Sequence, residues 1–138
     1  MIEFSHEEQV SLTRLVLNLL DSWGVSNADS IVLLALPAGT KPRALQRYQQ
    51  DTPLPFNELV YERVEHMVGI SEALHLANPR SEQAGALWLK RPNRRFNGRS
   101  PLAVMVGDGL LGITQVRKHL DCSYDWYVDE QQSRQKKP

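Results

Sequence analysis

Apolar positions recur every three or four residues through most of this chain, the periodicity of amphipathic α-helices. Val10, Leu12, Leu15, Val16, Leu19 and Leu20 trace one helix over about 6–22, opened by Ser5 and Glu8 as a capping box and closed by Trp23 and Gly24. A second helix is predicted over 26–36, capped by Ser26 or Asn27, with Ile31, Leu34 and Ala35 on its buried side. After the turn at 37–40, Thr40 is placed to cap a third helix, with Pro42 in its first turn and an end near Asp51. The longest pattern, Phe56, Leu59, Val60, Val64, Met67, Ile70 and Leu74, predicts a central helix over 56–77, stopped by Asn78 and Pro79.

Beyond that stop the segments shorten. Ala84, Leu87 and Trp88 mark a helix over 81–90 that Pro92 breaks. Ser100 followed by Pro101 is a strong helix start, predicting a short helix over 102–106 that the Gly107, Asp108, Gly109 turn ends. A last helix is predicted over 111–120, and the polar residues after Val128 are expected to form a mobile tail. The run IVLLAL at 31–36 is ambiguous between strand and helix, but no alternation is long enough to require a sheet, so the fold class is all-α. The layout expected is an N-terminal helix-turn-helix subdomain over 1–54, a helical domain over 55–128 beginning with the long central helix, and a tail over 129–138.

Composition narrows the class. A chain of 138 residues with 41% apolar and 23% charged residues is that of a globular domain, and 7% aromatic residues argue against a β-sandwich or a disulfide-stapled scaffold. A single cysteine, Cys122, cannot form an internal disulfide, and no CxxC or HExxH spacing suggests zinc. No segment approaches the roughly 18 apolar residues of a membrane span, and the N-terminus is acidic, unlike a signal peptide, so a cytoplasmic protein is expected. His6, His66, His75 and His119 are scattered and Cys122 has no evident base, while Glu58, Glu62 and Glu65 read as a solvated helix side. Neither catalysis nor a metal or cofactor is expected.

The formal net charge is zero, yet the signs are sorted. Residues 1–36 carry Glu3, Glu7, Glu8, Asp21 and Asp29 against Arg14, whereas Lys41, Arg43 and Arg47 form a first basic island and Lys90, Arg91, Arg94, Arg95 and Arg99 a second. The first island lies on the second helix of a pair, 26–36 and 40–50, that has the size of a helix-turn-helix. Arginine and glutamine there match guanine and adenine edges, which makes Thr40, Lys41, Arg43, Gln46 and Arg47 the candidate DNA contacts, with Thr40 and Lys41 best suited to phosphate. An ordinary solvated helix with Leu45 and Tyr48 turned inward fits equally simple rules. The second island fits nucleic acid, an acidic protein surface or a solvated loop. Ser100 and Pro101 leave free amide groups at a helix start, and Gly98 permits a backbone angle closed to other residues. Trp88 fits plain core. Tyr124, Trp126 and Tyr127, interleaved with Asp121, Asp125 and Asp129, fit either interface anchors or rings folded back on the core.

The ordered set Trp88, Leu89, Pro92, Asn93, Gly98, Ser100, Pro101, Leu102, Asp108, Gly109, Val116 and Leu120 resembles the C-terminal region of MbcA/ParS/Xre antitoxins. There a helix with a terminal tryptophan leads to a Pro-Asn loop, a glycine, a Ser-Pro helix start, a glycine turn and a valine-bearing helix. The resemblance extends over about 26–120, with its specific motifs within 86–120. It implies an antitoxin that inhibits a RES-type toxin acting on NAD, binds its own operator DNA through the helix-turn-helix and forms a homodimer. Arg94, Phe96, Arg99, Tyr124, Trp126 and Tyr127 become the candidate toxin contacts. Two departures stand out: Phe96 replaces a usual aliphatic residue, and residues 121–127 replace a glycine-containing end. The alternatives are a stand-alone helix-turn-helix regulator and an interaction module that does not touch DNA.

Overall fold

The computed structural model describes residues 4–135, with the side chains of Glu82 and of residues 122–135 outside the described set. Among the described residues six α-helices occur in order: α1 (His6–Ser22), α2 (Asn27–Leu33), α3 (Ala44–Gln50), α4 (Glu58–Ala77), α5 (Glu82–Lys90) and α6 (Pro101–Gln135), with one 3-10 turn at Arg94–Phe96. No strand occurs among the described residues, so the chain is all-α. It divides into two compact units, Met1–Val68 and Gly69–Pro138, and the division lies within α4.

In the first unit the capping box opens α1 as expected: Ser5 N donates to Glu8 Oε1 at 3.0 Å and Glu8 N to Ser5 Oγ at 3.2 Å. The inward stripe of α1 buries Val16, Leu17 and Leu20, and Trp23 is buried behind it. Gly24, at φ 72°, reverses the chain so that Val25 N reaches Leu20 O at 3.0 Å. Thr13 is fully buried without penalty because its hydroxyl donates to Gln9 O and accepts from Leu54 N at 3.0 Å. That bond anchors the proline-flanked segment after α3. α3 packs on α1, and the Arg14 guanidinium donates to Gln50 O at the α3 C-terminus, where a cation meets unpaired carbonyls.

Two N-terminal helices are shorter than their periodicity predicts. α2 stops at Leu33 rather than at 36, because Ala35 turns to φ 54° and Leu36 N bonds back to Ile31 O at 3.2 Å. Burial of Leu36 holds this end in place, and Arg63 Nη1 donates to Leu33 O at 3.3 Å. α3 starts at Ala44, and Thr40 is not its cap: the Thr40 hydroxyl donates to Pro37 O at 2.6 Å, within the preceding turn. Lys41 to Arg43 therefore form turn rather than helix. α4 begins at Glu58 because Asn57 Oδ1 accepts from Val60 N at 3.0 Å, leaving Phe56 before the helix, stacked on Tyr61 at 4.5 Å.

In the second unit Ser81 caps α5 through Ala84 N, and Gly85 lies so close to Leu74 that an added Cβ would stand 3.3 Å from the leucine Cβ. Ile70, Leu89, Met105, Ile113 and Val116 are fully buried. α6 is broken by Gly109 alone, at φ 65° and ψ −143°; Gly107 and Asp108 stay helical, contrary to the expected three-residue turn. The chain folds back so tightly that a Cβ on Gly112 would overlap the Val104 carbonyl oxygen. The expected end at 120 is also corrected, since the backbone stays helical to Gln135. No proline or glycine follows Gly112 before that point, so nothing in the backbone forces a stop. The tail expected over 129–138 is therefore helical over 129–135, and residues 136–138 lie outside the described residues.

Two substitutions test these ends. Ala35→Gly relieves a left-handed alanine and is expected to raise unfolding free energy by about 0.5–1 kcal/mol in chemical denaturation. Gly112→Ala is expected to lower it by about 1–3 kcal/mol, because the backbone of 104–112 must open.

Candidate functional site

The second unit carries an open groove between the loop over 93–99 and one face of α6, lined by Arg95, Phe96, Asn97, Arg99, Val104, Asp108, Gln115, Lys118 and His119. The loop is shaped by Asn93. Its side chain accepts from Arg95 N at 2.9 Å, its carbonyl from Phe96 N and Gly98 N at 3.0 Å each, and its own N–H donates to Arg99 O at 3.1 Å. Asn97 and Gly98 complete the reversal in left-handed conformations, at φ 58° and 83°.

Arg99 then crosses to α6. Its guanidinium meets Asp108 through both terminal nitrogens, at 3.0 and 3.3 Å, and Nη2 also donates to Ala103 O at 3.2 Å. This fork-shaped pair is half-exposed, so it contributes more to geometry than to stability. At the α6 start Ser100 Oγ accepts from Ala103 N at 3.1 Å, with Pro101 buried in the first turn.

His119 forms the aromatic floor. Its imidazole lies parallel to Trp88 with centroids 5.9 Å apart, and Phe96 meets it edge-on at 5.7 Å. Burial, and secondarily the positive charge of Arg95, lowers its pKa below the ordinary value, so the neutral ring is favoured.

The first unit holds a second recess, where Gly39, Thr40, Lys41, Arg43, Ala44, Arg47 and Tyr48 converge. Lys41, Arg43 and Arg47 are exposed around it. A cluster of cations on a turn and one short helix suits an anion, and phosphate most directly. Among the described residues no group of three or more His, Cys, Asp or Glu side chains comes together as a metal site.

Residues 73–122, which include α5, the 93–99 loop and α6 as far as Cys122, match the family described as the antitoxin Xre/MbcA/ParS C-terminal toxin-binding domain. The chain is also 31% identical over 103 residues to the "Uncharacterized protein y4oB" of Sinorhizobium fredii, an alignment spanning 75% of this chain and 76% of that protein. The chain belongs to the Xre/MbcA/ParS antitoxin family. No helix of this antitoxin is long and apolar enough to cross a membrane among the described residues.

The site residues named from the antitoxin's sequence separate accordingly. Thr40, Lys41, Arg43 and Arg47 meet at one recess, while Gln46 is exposed but does not line it. Phe96 and Arg99 line the groove; Arg94 is exposed on the same loop without lining it. The side chains of Tyr124, Trp126 and Tyr127 lie outside the described residues, on a stretch of helical backbone. Sequence reasoning missed Arg95 as a lining residue, together with Gln115, Lys118 and His119. The i, i+3, i+4 spacing of the last three was the available signal, since it sets them on one face of a helix.

The sign of the His119 shift gives a pH dependence. Because its pKa is lowered in the fold, its stabilising contribution is present above the ordinary value of 6.5 and is lost as pH falls through the lowered folded value. Denaturation midpoints are expected to decline as pH falls below about 6.5, and His119→Gln is expected to flatten that part of the profile.

Proposed function

We propose that this antitoxin neutralises a RES-type, NAD-degrading toxin through residues 55–128 and binds the operator of its own toxin-antitoxin operon through residues 1–54. The observation that carries the first half is the coincidence of the matched toxin-binding region with a preorganised loop and groove in the second unit. Phe96 supplies a part-exposed aromatic contact and Arg94 an exposed cation, while the helical segment bearing Tyr124, Trp126 and Tyr127 extends the surface toward the toxin's cleft. Arg99 acts by holding the loop through Asp108 and Ala103 rather than by reaching the toxin. The antitoxin works by covering the toxin's active site, is not itself an enzyme, needs no cofactor and acts in the cytoplasm.

Support for the DNA half is the convergence of Thr40, Lys41, Arg43 and Arg47. The short α3 moves Thr40, Lys41 and Arg43 onto the preceding turn, where they suit phosphate, and leaves Gln46 and Arg47 on the helix as the groups able to read bases. Homodimerisation presents two such helices to a palindromic site, and the recess where Phe4 and the α1 residues Leu12 and Leu15 meet, edged by Glu7 and Glu8, offers a surface for pairing.

A second reading is favoured by one observation. Residues 34–43 separate α2 from α3, whereas a compact helix-turn-helix uses a turn of roughly three or four residues. An interaction module without DNA binding accommodates that spacing.

Two assays decide between them. Growth rescue of cells expressing the neighbouring toxin gene is expected with the wild-type antitoxin, and its failure removes the antitoxin reading. The double variant Arg43→Ala, Arg47→Ala is expected to keep that rescue while weakening operator binding and reducing the salt slope by about two. Absence of wild-type DNA binding even at low salt selects the interaction module.

A further inference from the structure

The cations of the second-unit groove are not equivalent. Arg99 is held by both oxygens of Asp108 and by Ala103 O, so its charge is already balanced and its orientation is set from within. Asp108 is correspondingly occupied, and it is the carboxylate among the lining residues. Arg95 and Lys118 line the same groove, both are exposed, and among the described residues neither is paired with a carboxylate. What the groove offers a partner is therefore positive charge on both of its walls, one cation from the loop and one from α6.

The same groove also carries aromatic surface. Phe96 is part-exposed and meets His119 edge-on, and His119 lies parallel to Trp88. The loop bearing Arg95 and Phe96 is closed on Asn93 by several hydrogen bonds, so little backbone freedom remains to be lost on binding. Preorganised aromatic surface in one groove with unbalanced cations is complementary to a protein segment that alternates carboxylates with aliphatic side chains. Nucleic acid fits less well. One face of Trp88 is taken by His119, Phe96 is turned edge-on to the His119 ring, and the Asp108 carboxylate lies among the cations that a phosphate backbone would follow.

We propose that this groove binds an acidic segment of the toxin, with aspartate or glutamate carboxylates on Arg95 and Lys118 and an aliphatic side chain on Phe96. The identity of the partner rests on the antitoxin reading above; the chemistry of the groove does not. Arg99 and Asp108 are positioning residues here, since they hold the loop in place without meeting the segment.

The test uses the full-length 15N-labelled protein and, as probe, a short peptide alternating glutamate with leucine. Amide shifts are expected at Arg95, Phe96, Lys118 and His119, with no response to the same peptide carrying lysine in place of glutamate. Lys118→Glu and Arg95→Glu, both exposed and checked for folding by circular dichroism, are each expected to weaken peptide binding about tenfold and to reduce growth rescue. Shifts confined to other residues, an equal response to the lysine peptide, or tighter binding of a single-stranded oligonucleotide in the groove would overturn the proposal. Retained rescue by a folded variant that has lost peptide binding overturns it as well, because the toxin then docks elsewhere. Failure of the wild-type protein to rescue growth removes the antitoxin reading instead, and the peptide titration then judges the groove alone.

Discussion

The second unit depends on one close approach, that of Gly112 to the carbonyl of Val104. Gly109 supplies a backbone conformation that side-chain-bearing residues avoid, and Gly112 lets the returning helix lie against the one it left. Any Cβ at 112 would meet backbone, which cannot yield as a flexible side chain can. The fold-back places Val104 and Asp108 from one segment beside Gln115, Lys118 and His119 from the other, and these residues form one wall of the groove. The same turn brings Met105, Ile113 and Val116 into the buried interior. Burial of those side chains contributes about 1.5–3 kcal/mol each, enough to hold the reversal closed.

The other wall is a loop whose rigidity comes from short-range bonds rather than from apolar burial. Asn93 plays the part that regular secondary structure plays elsewhere, satisfying amides at Arg95, Phe96 and Gly98. Arg99 joins loop to helix through a charge pair that is too exposed to contribute much stability but whose paired geometry fixes direction. This division explains why neighbouring arginines differ in role. A guanidinium satisfied by carboxylate and carbonyl is part of the frame, whereas one facing solvent across the groove is available to a partner.

The first unit shows the opposite construction. Its basic recess is made largely by turn residues, because the chain before α3 is held by a threonine bond to Pro37 O and not by a helix cap. Arg14 and Arg63 are both committed to helix C-termini, so the basic side chains around the recess come from the local segment 41–47. A turn displays cations at angles that a helix does not, which favours contact with phosphate over reading of base edges.

Much of this was legible in the chain itself. The existence and order of the helices follow from apolar spacing, and the Ser5, Ser26 and Ser100 caps follow from local hydrogen-bonding chemistry that acts over three residues. The break near Gly109, the loop after Trp88 and the two basic islands were readable for the same reason: proline, glycine and charge act where they stand. Helix ends, and the roles of individual cations, were decided by tertiary structure. Ala35 is driven to a left-handed conformation where the chain turns to bury Leu36; the run of α6 past Leu120 is the exception, a local matter, since no proline or glycine there stops it. His119 becomes a groove residue only when the fold-back sets it against Trp88 and the edge of Phe96, and Arg99 is tied to α6 only when Asp108 arrives beside it. Periodicity and capping depend on neighbours within a turn of helix, so sequence determines them; pairing and burial depend on residues brought together from distant positions, so only the folded chain can assign them.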